Sequence, residues 1–230
     1  MIADVTTKAA PADGPMMLPS SHRRRAWRIA LGTCWLVLLC ACGARTPPLP
    51  ALGKDAVILA FGDSLTFGTG ARPNESYPAQ LQQLIGRNVV MSGVPGEISE
   101  DGLRRLPETL DEVQPQLLIL CHGGNDFLRR LDEKKTATHL RAMVQLARQR
   151  HISVLMIAPP KPGLTLGLTL SPPDFYTTIA GEFAIPIESS VLGEVLTDRA
   201  LKSDLVHPNA AGYRRIAVTV ADFLKKTGAI

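Results

Sequence analysis

Ser64 lies in Phe61-Gly62-Asp63-Ser64-Leu65-Thr66, directly after the apolar run Ala56–Ala60. A serine hydroxyl is a weak nucleophile alone. It needs a base to take its proton and a carboxylate to orient that base. Asp204-Leu205-Val206-His207-Pro208-Asn209 offers both. His207 is the candidate general base. Asp204, three residues earlier, can accept from its other ring nitrogen and so select the tautomer. Between these stretches, Gly123-Gly124-Asn125-Asp126 follows a second apolar run. Asn125 can present a side-chain N–H. Gly96, with no Cβ, can bring a bare backbone N–H close to a substrate, and Gly93 competes for that role. Nucleophile, base, carboxylate and N–H donors are the parts that acyl transfer requires.

These groups need a frame that brings distant loops together. Short apolar runs at Ala56–Phe61, Asn88–Met91, Leu117–Cys121 and Ser153–Ala158 predict strands, with a short fifth at Ala184–Ile187. Helical spacing predicts helices over Glu75–Arg87, from an N-cap at Ser99 to about Val113, over Lys134–Arg150, and over about Asn209–Lys226. On the first, Tyr77, Leu81, Leu84 and Ile85 share a face; on the last, Tyr213, Ile216, Val220 and Leu224 do. Strands that alternate with helices imply a mainly parallel sheet covered on both faces. The expected architecture is a flavodoxin-like, three-layer α/β/α fold of about five strands. In such a fold the loops after strands open on one edge, where ligands bind. The serine is not in a Gly-x-Ser-x-Gly elbow, since Thr66 takes the final position. That argues against the α/β-hydrolase fold.

Other residues invite other chemistry. Asp63, Asp126, Asp204 and His207 could together hold a metal, but Ser64 and Asn125 would then have no task, so no metal or other cofactor is expected. Gly68-Thr69-Gly70 lacks the lysine of a phosphate loop. Cys121 ends a buried run and reads as a small core residue. His122 reads as structural, and His139 and His151 as solvated.

The motifs together resemble the GDSL or SGNH hydrolase family, in its bacterial thioesterase I, lysophospholipase L1 and arylesterase branch. The resemblance rests on Phe61–Thr66, on Gly96-Glu97-Ile98-Ser99 with Gly102–Pro107, on Gly123–Asp126, and on Asp204-x-x-His207-Pro208-Asn209. It runs from about Ala56 to the C-terminus. It implies a nucleophile at Ser64, a triad completed by Asp204 and His207, and an oxyanion hole of the Ser64 and Gly96 amides with the Asn125 side chain. That branch usually has an Asn where this chain has Met91. The helix start at Ser99 follows Gly96 in the family register, which favours Gly96 over Gly93.

The chain has 230 residues, is 45% hydrophobic and carries a formal charge of +4. Most of that charge precedes Cys42, where five Lys and Arg face two Asp. The remainder is nearly balanced, so no nucleic-acid surface is expected. Arg23-Arg24-Arg25 precede an apolar stretch from Ile29 to Ala41, too short to span a bilayer as a settled helix. It ends in Leu39-Cys40-Ala41-Cys42-Gly43, which resembles a bacterial lipoprotein signal cut before a lipidated Cys42. The expected organisation is a signal peptide over 1–41, the lipidated Cys42 with a proline-rich tether over 42–54, and a hydrolase domain over 55–230. Membrane contact is expected through the lipid anchor only, on the periplasmic side of the cell envelope and more at the outer membrane than the inner, with the enzyme a monomer. Leu164, Leu166, Leu168 and Leu170 alternate with small and polar residues after the fourth strand. They read equally as an acyl-receiving lid or as core. The expected reaction is hydrolysis of small acyl esters or thioesters. Two other readings are an O-acetyl esterase acting on an envelope polysaccharide and an idle binding lipoprotein.

Overall fold

Five strands form one parallel sheet in the order β2-β1-β3-β4-β5. In the computed structural model, which describes residues 46–161 and 170–230, these are β1 (Val57–Gly62), β2 (Asn88–Gly93), β3 (Leu117–Cys121), β4 (Ser153–Ile157) and β5 (Ile187–Glu188). The helices between them are α1 (Ser64–Phe67), α2 (Tyr77–Ile85), α3 (Ser99–Val113), α4 (Gly124–Leu128), α5 (Glu133–Gln149), α6 (Phe175–Phe183), α7 (Val191–Thr197) and α8 (Ala210–Lys226). The order is the flavodoxin-like one, and the chain reverses direction across the sheet between β1 and β3.

Period-2 alternation in each strand builds a core on either face. Ile58, Ala60, Leu117, Ile119, Leu155 and Ile157 pack with Tyr77 and Leu81 of α2, Val191 and Val195 of α7, and Tyr213, Ile216, Val220 and Leu224 of α8. Their neighbours Leu59, Phe61, Leu118, Leu120, Val154 and Met156 face Leu106 and Leu110 of α3, Leu140 and Val144 of α5, and Ile179 of α6. Burial on both faces explains why β1, β3 and β4 are apolar almost throughout, whereas the edge strand β2 exposes Asn88 and Met91.

Several boundaries move. The expected helix over Glu75–Arg87 divides into a 3₁₀ turn at Pro73–Glu75 and α2, because extended Ser76 stands between them and Pro78 sits at the start of α2. Leu84 is exposed rather than core. Ser99 is the first residue inside α3, not its cap; the Asp126 carboxylate accepts from its amide at 2.9 Å and from its hydroxyl at 2.5 Å. The fifth strand falls at Ile187–Glu188 instead of Ala184–Ile187. Ala184 takes a left-handed conformation that ends α6, and the Ile185 amide returns to the Ala180 carbonyl.

The N-terminal tether is docked over its last residues. The Leu49 and Leu52 amides donate to the Thr227 and Ala229 carbonyls at 2.9 and 2.8 Å. Arg87 donates to the Leu52 and Gly53 carbonyls. Leu49 is buried in the core. The packed unit therefore begins near Leu49, ahead of the boundary expected at residue 55, and residues 49–54 are not free tether. Residues 1–41, expected to form a signal peptide, Cys42 and the alternating Leu164–Thr169 stretch lie outside the described residues. No described helix is long and apolar enough to cross a membrane.

Candidate active site

Ser64 opens α1 directly after β1. Asp63 caps this four-residue helix: its Oδ1 accepts from the Leu65 amide at 3.0 Å. Gly68, at φ 97°, ends the helix in a conformation open to glycine. Ser64 therefore sits at the amino end of a short helix, where backbone amides point outward. Its carbonyl accepts from the Gly68 and Thr69 amides at 3.0 and 3.1 Å, which holds the turn closed.

His207 arrives from the loop before α8. The Ser203 amide donates to the His207 carbonyl at 2.9 Å, and Asn209 caps α8 by accepting from the Gly212 amide at 3.0 Å. The imidazole is bonded at both nitrogens: Nδ1 lies 2.8 Å from Asp204 Oδ2, and Nε2 lies 3.0 Å from Ser64 Oγ. Asp204 Oδ1 accepts from the Val206 and His207 amides, each at 2.8 Å. Burial pushes the Asp204 carboxyl up, but the bond from the His207 ring and those two amides outweigh it and hold the group below its ordinary range. An ionised Asp204 makes His207 Nδ1 the donor and frees Nε2 to accept from Ser64. That proton order is the one a serine nucleophile requires.

Asn125 stands at the start of α4, after β3. Its Nδ2 donates to the Glu97 carbonyl at 3.0 Å and to Asp63 Oδ2 at 3.3 Å. The amide is thus held between the first and second loops. Asp63 is buried, and that burial raises its carboxyl above its ordinary value. Gly96 takes φ 80°, and its carbonyl accepts from Arg129 Nη2 at 2.7 Å. Gly93 has a different task. A Cβ there would collide with the Phe67 amide nitrogen and lie 2.8 Å from the Asp63 carbonyl. It lets β2 pass against α1, so the second loop leaves Gly96 as its glycine in the left-handed region.

Some residues of this neighbourhood lie in or beside the motifs without a task assigned to them by sequence. Asp63 is buried against Asn125. Glu97 and His122 are buried beneath the second and third loops, with half-buried Arg105 beside them. Arg105 Nε and Nη2 donate to the two Glu97 oxygens at 2.8 and 2.7 Å, and His122 Nε2 lies 3.1 Å from Glu97 Oε2. Burial raises the Glu97 carboxyl, but the bonds from Arg105 and His122 outweigh it and bring it down to about 2. Gly70 also has a role: a Cβ on it would strike Ser203 and the Pro208 carbonyl, so it seats the Ser64 loop against the His207 loop. His139, expected in solvent, is half-buried with Nδ1 2.9 Å from Ser99 Oγ. Asp126 is tied to Ser99 and Thr136 instead of facing His207. A buried acid or histidine beside a motif is the available signal for such residues, but their partners lie too far along the chain to read.

A parallel 2-1-3-4-5 sheet with a serine after its first strand and a histidine before its last helix defines the fold of the SGNH hydrolases. The chain belongs to the GDSL-like lipase/acylhydrolase family, whose model matches residues 60–215. It is a hydrolase of ester bonds. It is 29% identical over 175 residues to the thioesterase 1/protease 1/lysophospholipase L1 of Escherichia coli K12, covering 74% of this chain and 81% of that protein. It is 29% identical over 178 residues to the arylesterase of Vibrio mimicus, covering 74% and 88%. Among solved structures it resembles TesA, with 26% identity and a TM-score of 0.65 over 74% of this chain and 99% of TesA.

Proposed function

We propose that this chain is a serine esterase or thioesterase that works through an acyl-enzyme on Ser64. The observation that carries the reading is His207, bonded to Asp204 on one nitrogen and to Ser64 Oγ on the other. His207 Nε2 takes the hydroxyl proton as Oγ bonds to the acyl carbon. The carbonyl oxygen becomes an oxyanion, and the Ser64 and Gly96 amides with Asn125 Nδ2 donate to it. Asn125 gives up its longer bond, to Asp63, to do so. His207 then passes the proton to the departing alkoxide or thiolate as the acyl C–O or C–S bond breaks. Water repeats the sequence from the other side: it loses a proton to His207, attacks the acyl carbon and releases the acid. Ser64 leaves with the proton.

Acyl groups with a hydrocarbon portion fit the rim. Phe67, Val94, Leu128 and Leu205 are exposed apolar residues in or beside the loops that carry Ser64, Gly96, Asn125 and His207. The names of the relatives point the same way. Mapping a fluorophosphonate adduct tests the mechanism, with Ser64 the expected modified residue and Ser64→Ala unlabelled and inactive. Turnover of p-nitrophenyl esters of increasing chain length tests the substrate. A strong preference for acetate would instead favour deacetylation of a polysaccharide. An unlabelled, inactive wild type would leave only a binding module.

Delivery rests on the leader. Arg23–Arg25, the Ile29–Ala41 run and the Leu39–Gly43 box support lipidation of Cys42, and Gly43 after the cysteine suits export to the outer membrane. A monomer is sufficient, since one chain supplies Ser64, His207 and Asp204. Cys42→Ser should release activity from the membrane fraction or leave the precursor uncut. Equal partition of both forms at one mass would point to a plain secretory signal.

A further inference from the structure

Glu97, Arg105 and His122 have no place in the acyl-transfer steps. We propose that they are positioning residues: the cluster sets the Gly96 amide and the Asn125 side chain in one fixed arrangement for the oxyanion. The inference rests on the oxyanion reading above and deepens it.

The hydrogen bonds assign the tautomer of His122. The Gly123 amide donates to its Nδ1 at 3.0 Å, and an amide can only donate, so Nδ1 carries no proton. The ring proton is on Nε2, which donates to Glu97 Oε2 at 3.1 Å. The ring has no room to turn. Its Nε2 packs on α3 at Gly102, where any Cβ would collide with it. The His122 carbonyl accepts from the Tyr176 hydroxyl at 2.8 Å.

His122 immediately precedes Gly123-Gly124-Asn125. Glu97 therefore grips the third loop twice: its side chain accepts from His122, and its carbonyl accepts from Asn125 Nδ2 at 3.0 Å. On its other side, Arg105 donates to Ser92 Oγ at 2.6 Å and lies 4.0 Å from the centre of the Phe61 ring. The cluster thus ties the second loop to the ends of β1 and β2 as well as to the third loop. Gly96 precedes Glu97 and shares its anchorage. When the Asn125 amide leaves Asp63, its remaining partner, the Glu97 carbonyl, stays in place. Donors already in place cost no reorganisation as charge develops, whereas a misplacement of about 1 Å can cost on the order of a hundredfold.

The test is a double-mutant cycle on kcat and KM for a p-nitrophenyl ester, with thermal unfolding measured alongside. His122→Leu removes the donor and keeps the bulk; His122→Gln keeps an N–H. Both are made in the wild type and in Asn125→Ala. His122→Leu should lower kcat roughly tenfold or more with KM within about twofold, and His122→Gln should restore most of it. In the Asn125→Ala background the same change should cost much less, since a positioned donor is already gone. If His122→Leu does not fold, Arg105→Lys, which loses the bidentate fork, carries the same cycle. Full kcat in the folded variants, or an equal fold-loss in both backgrounds, would overturn the proposal while leaving the oxyanion reading intact. Full kcat in Asn125→Ala alone would instead overturn the oxyanion reading, and this proposal with it.

Discussion

Asp204, proposed to orient His207, stands in an open setting. Its side chain is 53% exposed, although it orients the ring that faces Ser64. Its grip comes from geometry: one oxygen takes two amides of its own loop and the other takes the ring. Asp204→Asn retains an oxygen for the amides but turns an NH₂ toward His207 Nδ1. The ring then places its proton on Nε2, facing Ser64, where it cannot act as a base. kcat for a p-nitrophenyl ester is expected to fall on the order of a thousandfold, with KM little changed. Normal turnover in this variant would show that another group orients His207.

At the scale of elements, the site depends on how closely α1 approaches β2. The helix that opens at Ser64 is one turn long, so its own hydrogen bonds cannot fix its direction. Gly93 at the end of β2 lets the backbone of Phe67 rest directly on the strand. Gly93→Ala pushes a methyl into that contact and must displace α1, and with it Ser64 from His207. Overpacking of this kind costs about 1–3 kcal/mol. Both the thermal midpoint and kcat should fall, in contrast to Asp204→Asn, which should leave the midpoint close to wild type. A Gly93→Ala protein as active and stable as wild type would mean that α1 is positioned from elsewhere, for example through Gly70 and the His207 loop.

Over the whole molecule, two buried carboxylates bear on the response to acid with opposite signs. Glu97 is held down to about 2 from an ordinary 4.5. Its stabilising contribution is therefore complete above about 4.5 and is lost as pH falls toward about 2. Asp63 is raised by burial, so its contribution has the opposite sign: it favours the fold most when protonated and weakens it as pH rises through its folded value. Urea midpoints measured between neutral pH and pH 3 should fall on acidification, and Glu97→Gln should fall less steeply. Equal slopes for the two proteins would assign the acid limb to other groups. Unfolding should also release the N-terminal segment from Leu49 to Gly53, because it is held to carbonyls beyond the end of α8 and to the Arg87 side chain.

The sequence by itself determined those features that are local. Apolar runs of strand length gave the sheet, and the 3.6-residue spacing of Leu140, Val144 and Ala147 gave α5. Asp204 and His207 are three residues apart, close enough for their pairing to follow from one loop. Ser64 and Asn125 were legible because each follows a buried strand. Only the tertiary structure decided what depends on strand order. Placing β1 between β2 and β3 brings Asp63 against Asn125 and Glu97 against His122, contacts that no short-range pattern encodes. Gly93 and Gly96 are the same residue type, and in the sequence only the family register favoured Gly96. One became a packing contact and the other a left-handed turn when α1 came to lie on β2. Residues 49–54 read as tether because six residues broken by Pro50 and Gly53 carry no periodicity, yet they dock through the Leu49 side chain and through backbone amides and carbonyls, which every sequence possesses. Hydrogen bonds between backbone groups, and buried polar contacts between distant residues, leave little trace in local composition; their partners exist only once the sheet has formed.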